Sequence, residues 1–162
     1  MPEILSVDQM LSQAAEPLRQ FRFVLSIEGL DAWIVLSSEL PSGEFGETEI
    51  PFINGRRYVA GKFAPNTLPI KLWQPVSPSA AQKVNDWIRL NYEPQTGRSG
   101  YADFYKKDLS ILLLDPPGGV ASKWTLKGAW CKGNKYGTLD YTNEGLLEID
   151  ITVRYDVATL LY

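Results

Sequence analysis

The stretch near the end of the chain constrains its fold more than any other segment. From Leu146 to Asp156 it reads LLEIDITVRYD, with apolar and polar residues in nearly strict alternation. Side chains of a strand point to its two faces in turn, so this pattern predicts one long β-strand. The apolar face would carry Leu147, Ile149, Ile151, Val153 and Tyr155, and the charged face Glu148, Asp150, Thr152, Arg154 and Asp156.

Burying five such apolar side chains contributes on the order of 10 kcal/mol before entropy, so the apolar face is expected to meet a core. The charged face of the predicted strand has three possible environments. Bulk water is the ordinary one, and a catalytic cleft or the inside of a channel are the others. The pattern alone leaves these alternatives open.

The remaining periodic segments predict a mainly β protein with one packed helix, a β-barrel or sandwich. Strands are predicted over 20–29, 32–40, 68–74, 106–115 and 122–131, with the second pairing with the first. A helix is predicted from Ser79 to Tyr92, because Ser79 and Gln82 form a capping box and Val84, Trp87 and Ile88 form an apolar stripe.

Two peripheral segments complete a single predicted domain of 162 residues. Residues 1–18 read as an N-terminal arm with a short helix: Ser6 and Gln9 form a capping box, Val7, Met10, Leu11 and Ala14 share one side, and Pro17 ends it. Residues 41–66 are rich in glycine and charge. Within them Asn54-Gly55 predicts a hairpin that has too few apolar residues to bury itself and needs a neighbour, either the domain body or another chain.

The residue types present argue against enzyme chemistry. There is no histidine, which removes the usual proton-transfer group near neutral pH and the commonest transition-metal ligand. The lone Cys131 excludes an internal disulfide and lacks a base of the usual kind, and a reducing, cytoplasmic origin is the simplest inference. A net charge of −3 argues against a protein that grips nucleic acid by neutralising phosphates. We therefore predict no catalytic activity, no cofactor and no metal.

Several motif-like features have simpler explanations. The carboxylates of Glu148 and Asp150 have the spacing of an acid–base pair, but a solvated or channel-lining strand face explains them better. The stretch from Gly55 to Lys62 lacks the spacing and terminal Ser or Thr of a phosphate loop. The tryptophans at 73, 87, 124 and 130 are predicted to pack in the core rather than bind sugars or bases. No stretch approaches the length of a membrane span, and no signal peptide is recognisable.

An ordered set of segments resembles the major tail tube protein of contractile-tailed bacteriophages. The set comprises FRFVLSIEG, GETEIPFINGRRYVAG, QKVNDW, YKKDLSILLLD, WTLKGAW and LLEIDITVRYD, and it spans about Phe21 to Asp156. The resemblance implies a structural virion protein of the phage tail, assembled in the host cytoplasm, whose hexameric rings stack into a hollow tube. It also implies contacts with the tail sheath, the baseplate and the tail terminator, transient passage of DNA, no stable membrane insertion and no enzymatic activity.

Within that family, this sequence suggests two sets of assembly residues. The hairpin would make contacts between subunits through Glu47, Glu49, Arg56, Arg57, Tyr58 and Lys62. The lumen would be lined by Lys71, Glu148, Asp150, Thr152 and Arg154, where carboxylates repel DNA phosphates. The tube protein of a phage-derived injection device or a type VI secretion system remains an alternative. From a different class, so does a monomeric carbohydrate-binding β-sandwich with exposed aromatic residues.

Overall fold

Strands dominate the computed structural model, which describes residues 6–10, 12 and 16–162. In chain order the elements are α1 (Val7–Met10), β1 (Phe23–Ile27), β2 (Val35–Ser38), β3 (Gly43–Phe52), β4 (Gly55–Pro65), β5 (Leu68–Trp73), α2 (Ala80–Asn91), β6 (Tyr92–Glu93), β7 (Arg98–Ser99), α3 (Ala102–Tyr105), β8 (Lys107–Leu114), β9 (Val120–Lys135), β10 (Glu148–Arg154) and β11 (Val157–Leu160). The predicted mainly β fold with one principal helix is confirmed.

The long strand β9 joins two halves of one sheet. Its first part pairs with β8 and β11, and its last part pairs with β10. The complete order is β1-β8-β9-β10-β5-β2, with β11 beside β9. Among the described residues, β1 pairs only with β8 and β2 only with β5. The sheet therefore curls towards a barrel without closing, and a seam separates β1 from β2.

The core lies on the concave side of this sheet, and the apolar face of the final segment contributes to it as predicted. Ile149, Ile151, Val153 and Tyr155 are all buried, whereas Leu147 precedes β10 and is only half-buried outside the core. The other buried core side chains are Leu25, Ile27, Ile34, Leu68, Ile70, Leu72, Leu109, Ile111, Leu126 and Ala129, together with Ala80, Val84 and Trp87 of α2. Alternation with period two thus places every second residue of β5 and β10 in the core.

Helix α2 forms where its capping box and apolar stripe predict it. The Ser79 hydroxyl accepts a hydrogen bond from the Gln82 amide at 3.2 Å, which caps the helix N-terminus. Val84 and Trp87 are buried, and the Trp87 indole donates to the Tyr105 carbonyl at 2.7 Å. The helix is thereby anchored to the segment that precedes β8.

The predicted strand over 32–40 is wrong in two respects. Ala32–Ile34 forms a 3-10 turn, and the strand that follows it, β2, pairs with β5 instead of β1. The chain begins a hairpin after β1, with an antiparallel bridge between Ile27 and Leu30, but the 3-10 turn that follows directs it away from β1. Leu30 donates back to the Ile27 carbonyl at 3.1 Å, and the 3-10 turn then carries the chain to the other end of the sheet order.

The final segment is two strands where one was predicted. β10 ends at Arg154 and β11 begins at Val157, both against β9. The break lies opposite Gly128, whose φ of +69° produces an irregularity in β9. A Cβ at Gly128 would lie 2.1 Å from the Asp156 carboxylate, so Asp156 occupies the space that only glycine leaves free.

At the N-terminus, Val7–Met10 forms one helical turn. Leu11 and Ala14 of the predicted helix, and the side chains of Gln9 and Met10, lie outside the described residues. The division into an arm over 1–18 and a hairpin region over 41–66 stays a prediction. No helix within the described ranges is long and apolar enough to cross a membrane.

Candidate assembly surfaces

The five residues predicted to line a lumen lie together on the outer face of the sheet. Asp150 is paired directly with Lys71 on β5, and Thr152 and Arg154 follow on the same side of β10. The Lys71 ammonium lies 3.5 Å from the Glu148 carboxylate, with both side chains about half exposed. Strand alternation therefore brings this set together as one contiguous surface, which we call the charged face.

The charged face is mixed in sign. Lys135 of β9 is paired with Asp150 on the side opposite Lys71, so that carboxylate has a lysine on each neighbouring strand. One carboxylate oxygen of Asp150, Oδ1, is buried and has no hydrogen-bond partner among the described residues. With Arg154 added, cations interleave with carboxylates across three strands, and the face is less acidic than the sequence of β10 alone suggests.

The hairpin β3–β4 forms as predicted, but its turn is one residue earlier than Asn54-Gly55 indicates. Phe52 pairs with Gly55, so Ile53 and Asn54 form the turn. Gly55 does not have a positive φ, so the left-handed conformation that Asn-Gly dipeptides usually supply is not used. All residues from Glu44 to Ala64 are exposed. The hairpin therefore has no support from the body of its own subunit.

Four of the six predicted interface residues share one face of the hairpin. Glu47 and Glu49 of β3 pair with Ala60 and Tyr58 of β4, and Arg56 lies on the same side, with its guanidinium 3.1 Å from the Glu49 carboxylate. Both partners of that ion pair are exposed, so it adds little to stability. Arg57 lies on the opposite face. Lys62 falls in the irregularity opposite Gly46, where the pairing register shifts.

Beside Arg57, the opposite face of the hairpin carries a group of apolar side chains, which the sequence did not predict. Ile50, Phe52 and Val59 lie on it, and Ile53 extends from the turn. Each is at least 42% exposed. The Arg57 guanidinium lies over the Phe52 ring, 5.7 Å from its centroid. The alternation of Thr48, Ile50 and Phe52 was the available signal, hidden by the glycines and charges around it.

A second apolar surface lies in the seam between β1 and β2. It is an open cleft with a volume of about 630 Å³, lined by Phe21, Phe23, Leu36, Leu40, Ile111 and Leu113 among others. The edges of β1 and β2 that border it lack a strand partner within the described part of the chain. Unpaired strand edges beside apolar side chains are the features of a surface that other strands can extend.

The residues that could carry chemistry lie in structural surroundings. Burial raises the pKa of the Cys131 thiol to about 11, which keeps it protonated and unreactive at neutral pH. The stretch from Gly55 to Lys62 is part of strand β4, not a loop before a helix. No group of three or more potential metal-ligating side chains occurs among the described residues.

Three of the four tryptophans predicted to pack in the core lie in it or against it, and Trp130 is not among the side chains that do. Trp87 is buried, and Trp73 and Trp124 are partly buried against the core. Trp130 lies edge-on to Tyr105, with ring centroids 6.2 Å apart. Trp33 is about half exposed and contacts Trp73 in a T-shaped arrangement. An extended exposed aromatic platform of the kind that binds sugars is not formed by these side chains.

Comparison with known proteins supports the resemblance seen in the sequence. No family model matches the chain. It is 28% identical over 127 residues to the tail tube protein of Serratia phage KSP90; the match covers 74% of this chain and 62% of that relative's length.

Solved structures that share the fold include two from an extracellular contractile injection system. The sheath/tube terminator of the extracellular contractile injection system PVC, in the extended state, aligns with a TM-score of 0.73 at 17% identity, over 91% of this chain and 98% of that one. The sheath–tube complex of the same system aligns with a TM-score of 0.65 at 17% identity, over 97% and 98%. The resemblance to phage tail tube proteins is thus confirmed, and the fold is that of tube and terminator subunits.

Proposed function

We propose that this chain, which resembles a phage tail tube protein in sequence and tube subunits in fold, forms the inner tube of a contractile phage tail. Hexameric rings of the chain stack into a hollow cylinder that conducts DNA on injection. The chain acts by self-association and carries out no catalysis. Its place is the virion tail, after assembly in the host cytoplasm.

The observation that carries this proposal is the hairpin β3–β4. Two strands of ten and eleven residues are exposed on both faces, and an isolated two-stranded hairpin is marginal in water. A monomeric protein gains nothing from ordering such an element. A neighbouring subunit that covers the hairpin supplies the missing burial, so Glu47, Glu49, Arg56, Arg57, Tyr58 and Lys62 remain our candidate contact residues.

The open seam supports ring formation. Strands β1 and β2 each present one unpaired edge, and apolar side chains line the cleft between them. A neighbouring subunit that adds strands to such an edge satisfies its amide and carbonyl groups and covers the cleft. Repeated around an axis, this contact closes a ring and leaves no free edge.

The charged face suits passage of DNA without retention. High-affinity binding of DNA requires a continuous positively charged surface that neutralises its phosphates. On this face Lys71 and Lys135 alternate with Glu148 and Asp150, so a phosphate near one lysine also meets a carboxylate. We propose that Lys71, Glu148, Asp150, Thr152 and Arg154 face the lumen.

The partners of the tube are proposed from the related assemblies. A sheath, a baseplate and a tail terminator would contact its outer surface and its ends. The same subunit design serves phage-derived injection devices and type VI secretion systems, which remain the alternative; the sequence match to a phage protein favours the phage tail. The genes adjacent to this one distinguish the two.

Negative-stain electron microscopy of the purified full chain tests the proposal. We expect rings with a central hole and, as concentration rises, tubes built from them. A folded monomer at every concentration, with or without a preformed baseplate as a seed, contradicts the proposal and favours the carbohydrate-binding alternative. Rings that never stack also contradict it and favour a terminator.

A further inference from the structure

The loop between β9 and β10, residues 136–147, exposes four large apolar side chains, of which Tyr136 is 37% exposed and the other three much more. Leu139 is 86% exposed, Leu146 is 74% exposed, and Tyr141 is fully exposed. We call these three residues the loop patch. Large apolar side chains exposed on one segment are a common mark of an interaction surface.

Hydrogen bonds hold the loop patch in a defined conformation. The Asp140 carboxylate accepts from the Thr142 amide at 2.9 Å and from the Thr142 hydroxyl at 2.8 Å. The Asn143 side chain accepts from the Gly145 amide at 2.8 Å. These are Asx turns, which fix a loop locally without any burial. The loop is therefore ordered before it meets a partner, which lowers the entropic cost of binding.

The loop patch and the hairpin lie at opposite ends of the subunit. Along the paired strands β5 and β10, Trp73 is opposite Glu148 at one end and Leu68 is opposite Val153 at the other. The loop enters β10 at Glu148, and the Gln74 amide donates to the Leu147 carbonyl there. The hairpin enters β5 at Leu68, near the point where the Tyr155 hydroxyl donates to the Ser42 carbonyl at 3.1 Å.

The two ends are complementary in that each carries exposed apolar side chains with charged side chains beside them. The hairpin end carries the apolar group Ile50, Phe52, Ile53 and Val59, which we call the tip patch, with Arg57 beside it. Arg57 forms no ion pair within the described ranges. At the loop end, Leu146, Glu148, Asp150 and Lys135 are among the residues that line an open cleft of about 350 Å³, and one oxygen of Asp150, Oδ1, is buried without a hydrogen-bond partner among the described residues.

We propose that the tip patch of one copy docks on the loop patch of the next copy along the tube, with Arg57 directed to the carboxylates of the cleft. This inference rests on the proposed function, because the docking partner of the tip patch is a second copy of this chain. A contact between different surfaces gives an open array unless the rotation between copies closes it into a ring, and surfaces at opposite ends of a subunit favour the open array. Such an array extends indefinitely, as stacking of rings requires.

Cysteine pairs test this contact in the assembled full chain. In a Cys131→Ala background, Ile53→Cys is combined with Tyr141→Cys and treated with a short bismaleimide. Each copy then carries one thiol at each end, so head-to-tail contacts give a ladder of dimers, trimers and longer products on a denaturing gel. The matched control combines Ile53→Cys with Tyr101→Cys; Tyr101 is 79% exposed, beside α3, and outside the loop patch. The control is expected to give no product beyond dimer.

Microscopy of the same samples separates the two proposals. Tubes that form but give no ladder above the control overturn the inference and leave the proposed function standing. Absence of rings and tubes from the unmodified chain overturns both.

Charge insertion gives a second readout that needs no cross-linking. Tyr141→Lys is expected to leave rings intact and raise the protein concentration needed for tube growth at least about tenfold, because each ring contact would bury an ammonium group. Tyr101→Lys is the control and is expected to leave that concentration unchanged. Unchanged tube growth by Tyr141→Lys contradicts the inference.

Discussion

Replacing residues Glu47 to Lys62 with Asn-Gly is expected to separate folding from assembly. The replacement leaves a three-residue loop between Phe45 and Phe63, which are paired in the hairpin and have ring centroids 5.0 Å apart. Every one of the sixteen replaced residues is exposed, so no core side chain is lost. The Arg56–Glu49 ion pair is exposed and contributes at most about 1 kcal/mol.

We therefore expect the free energy of unfolding of the monomer to change by no more than about 1 kcal/mol, a shift of roughly 2–4 °C in Tm for a domain of this size. Urea titration under conditions that keep the protein monomeric measures this change. Sedimentation and electron microscopy measure assembly, and the variant is expected to form no tubes. Tubes formed at the normal concentration by the variant would refute the assignment of this segment to subunit contacts. A loss of several kcal/mol would refute its independence from the core.

Four further predictions concern the subunit itself. Ile151→Ala, at a fully buried core position, is expected to lower the free energy of unfolding by about 2–5 kcal/mol in urea titration, and a change below about 1 kcal/mol would contradict the core assignment. Tyr155→Phe removes the hydrogen bond to Ser42 at the hairpin base and is expected to cost about 1 kcal/mol by thermal melting, whereas an unchanged Tm would place that bond outside the folding energetics. The Cys131 thiol, with its pKa raised by burial to about 11, is expected to react slowly with a thiol reagent at pH 8 until urea is added; rapid reaction of the native protein would show it to be exposed. Hydrogen bonds from the Thr142 amide and hydroxyl lower the pKa of Asp140 below its ordinary value of 3.8. These bonds therefore stabilise the loop above that pH and are lost as the pH falls through the lowered pKa. An NMR titration of the Thr142 amide with a midpoint above 3.8 would contradict this prediction.

Local sequence rules succeeded where a single element carries its own signal. The capping serine and apolar stripe of α2 and the alternation of β10 each specify structure within one segment. Helix α2 lies where it was expected, and β10 occupies the central part of the strand predicted there. Alternation also grouped Lys71 with the polar residues of β10, because the period of two fixes which side chains share a face. Such rules need no knowledge of the rest of the chain.

Pairing between strands distant in the sequence could not be predicted from local patterns. The partner of β2 is decided by the 3-10 turn before it and by the space left beside β5, neither of which a local pattern encodes. The break at Asp156 depends on the conformation of Gly128, which belongs to another strand. The face on which Lys62 lies could not be predicted for a similar reason, because the pairing register between β3 and β4 shifts at this residue.

The loop patch was missed because its signal is exposure, which no sequence period reports. The stretch from Leu139 to Leu146 reads as an ordinary polar loop with scattered apolar residues. Only the folded chain shows that these side chains have no intramolecular contact to bury them and that the loop lies at the end opposite the hairpin.

A cryo-electron microscopy reconstruction of the particles that the full chain forms would place each surface at once. We expect a hollow, six-fold symmetric cylinder in which the face of Lys71 and Glu148 borders the central hole and the hairpin contacts the adjacent ring. A reconstruction in which that face points outwards and the hairpin touches no neighbour would contradict the account, as would a folded protein that forms no particles larger than a monomer.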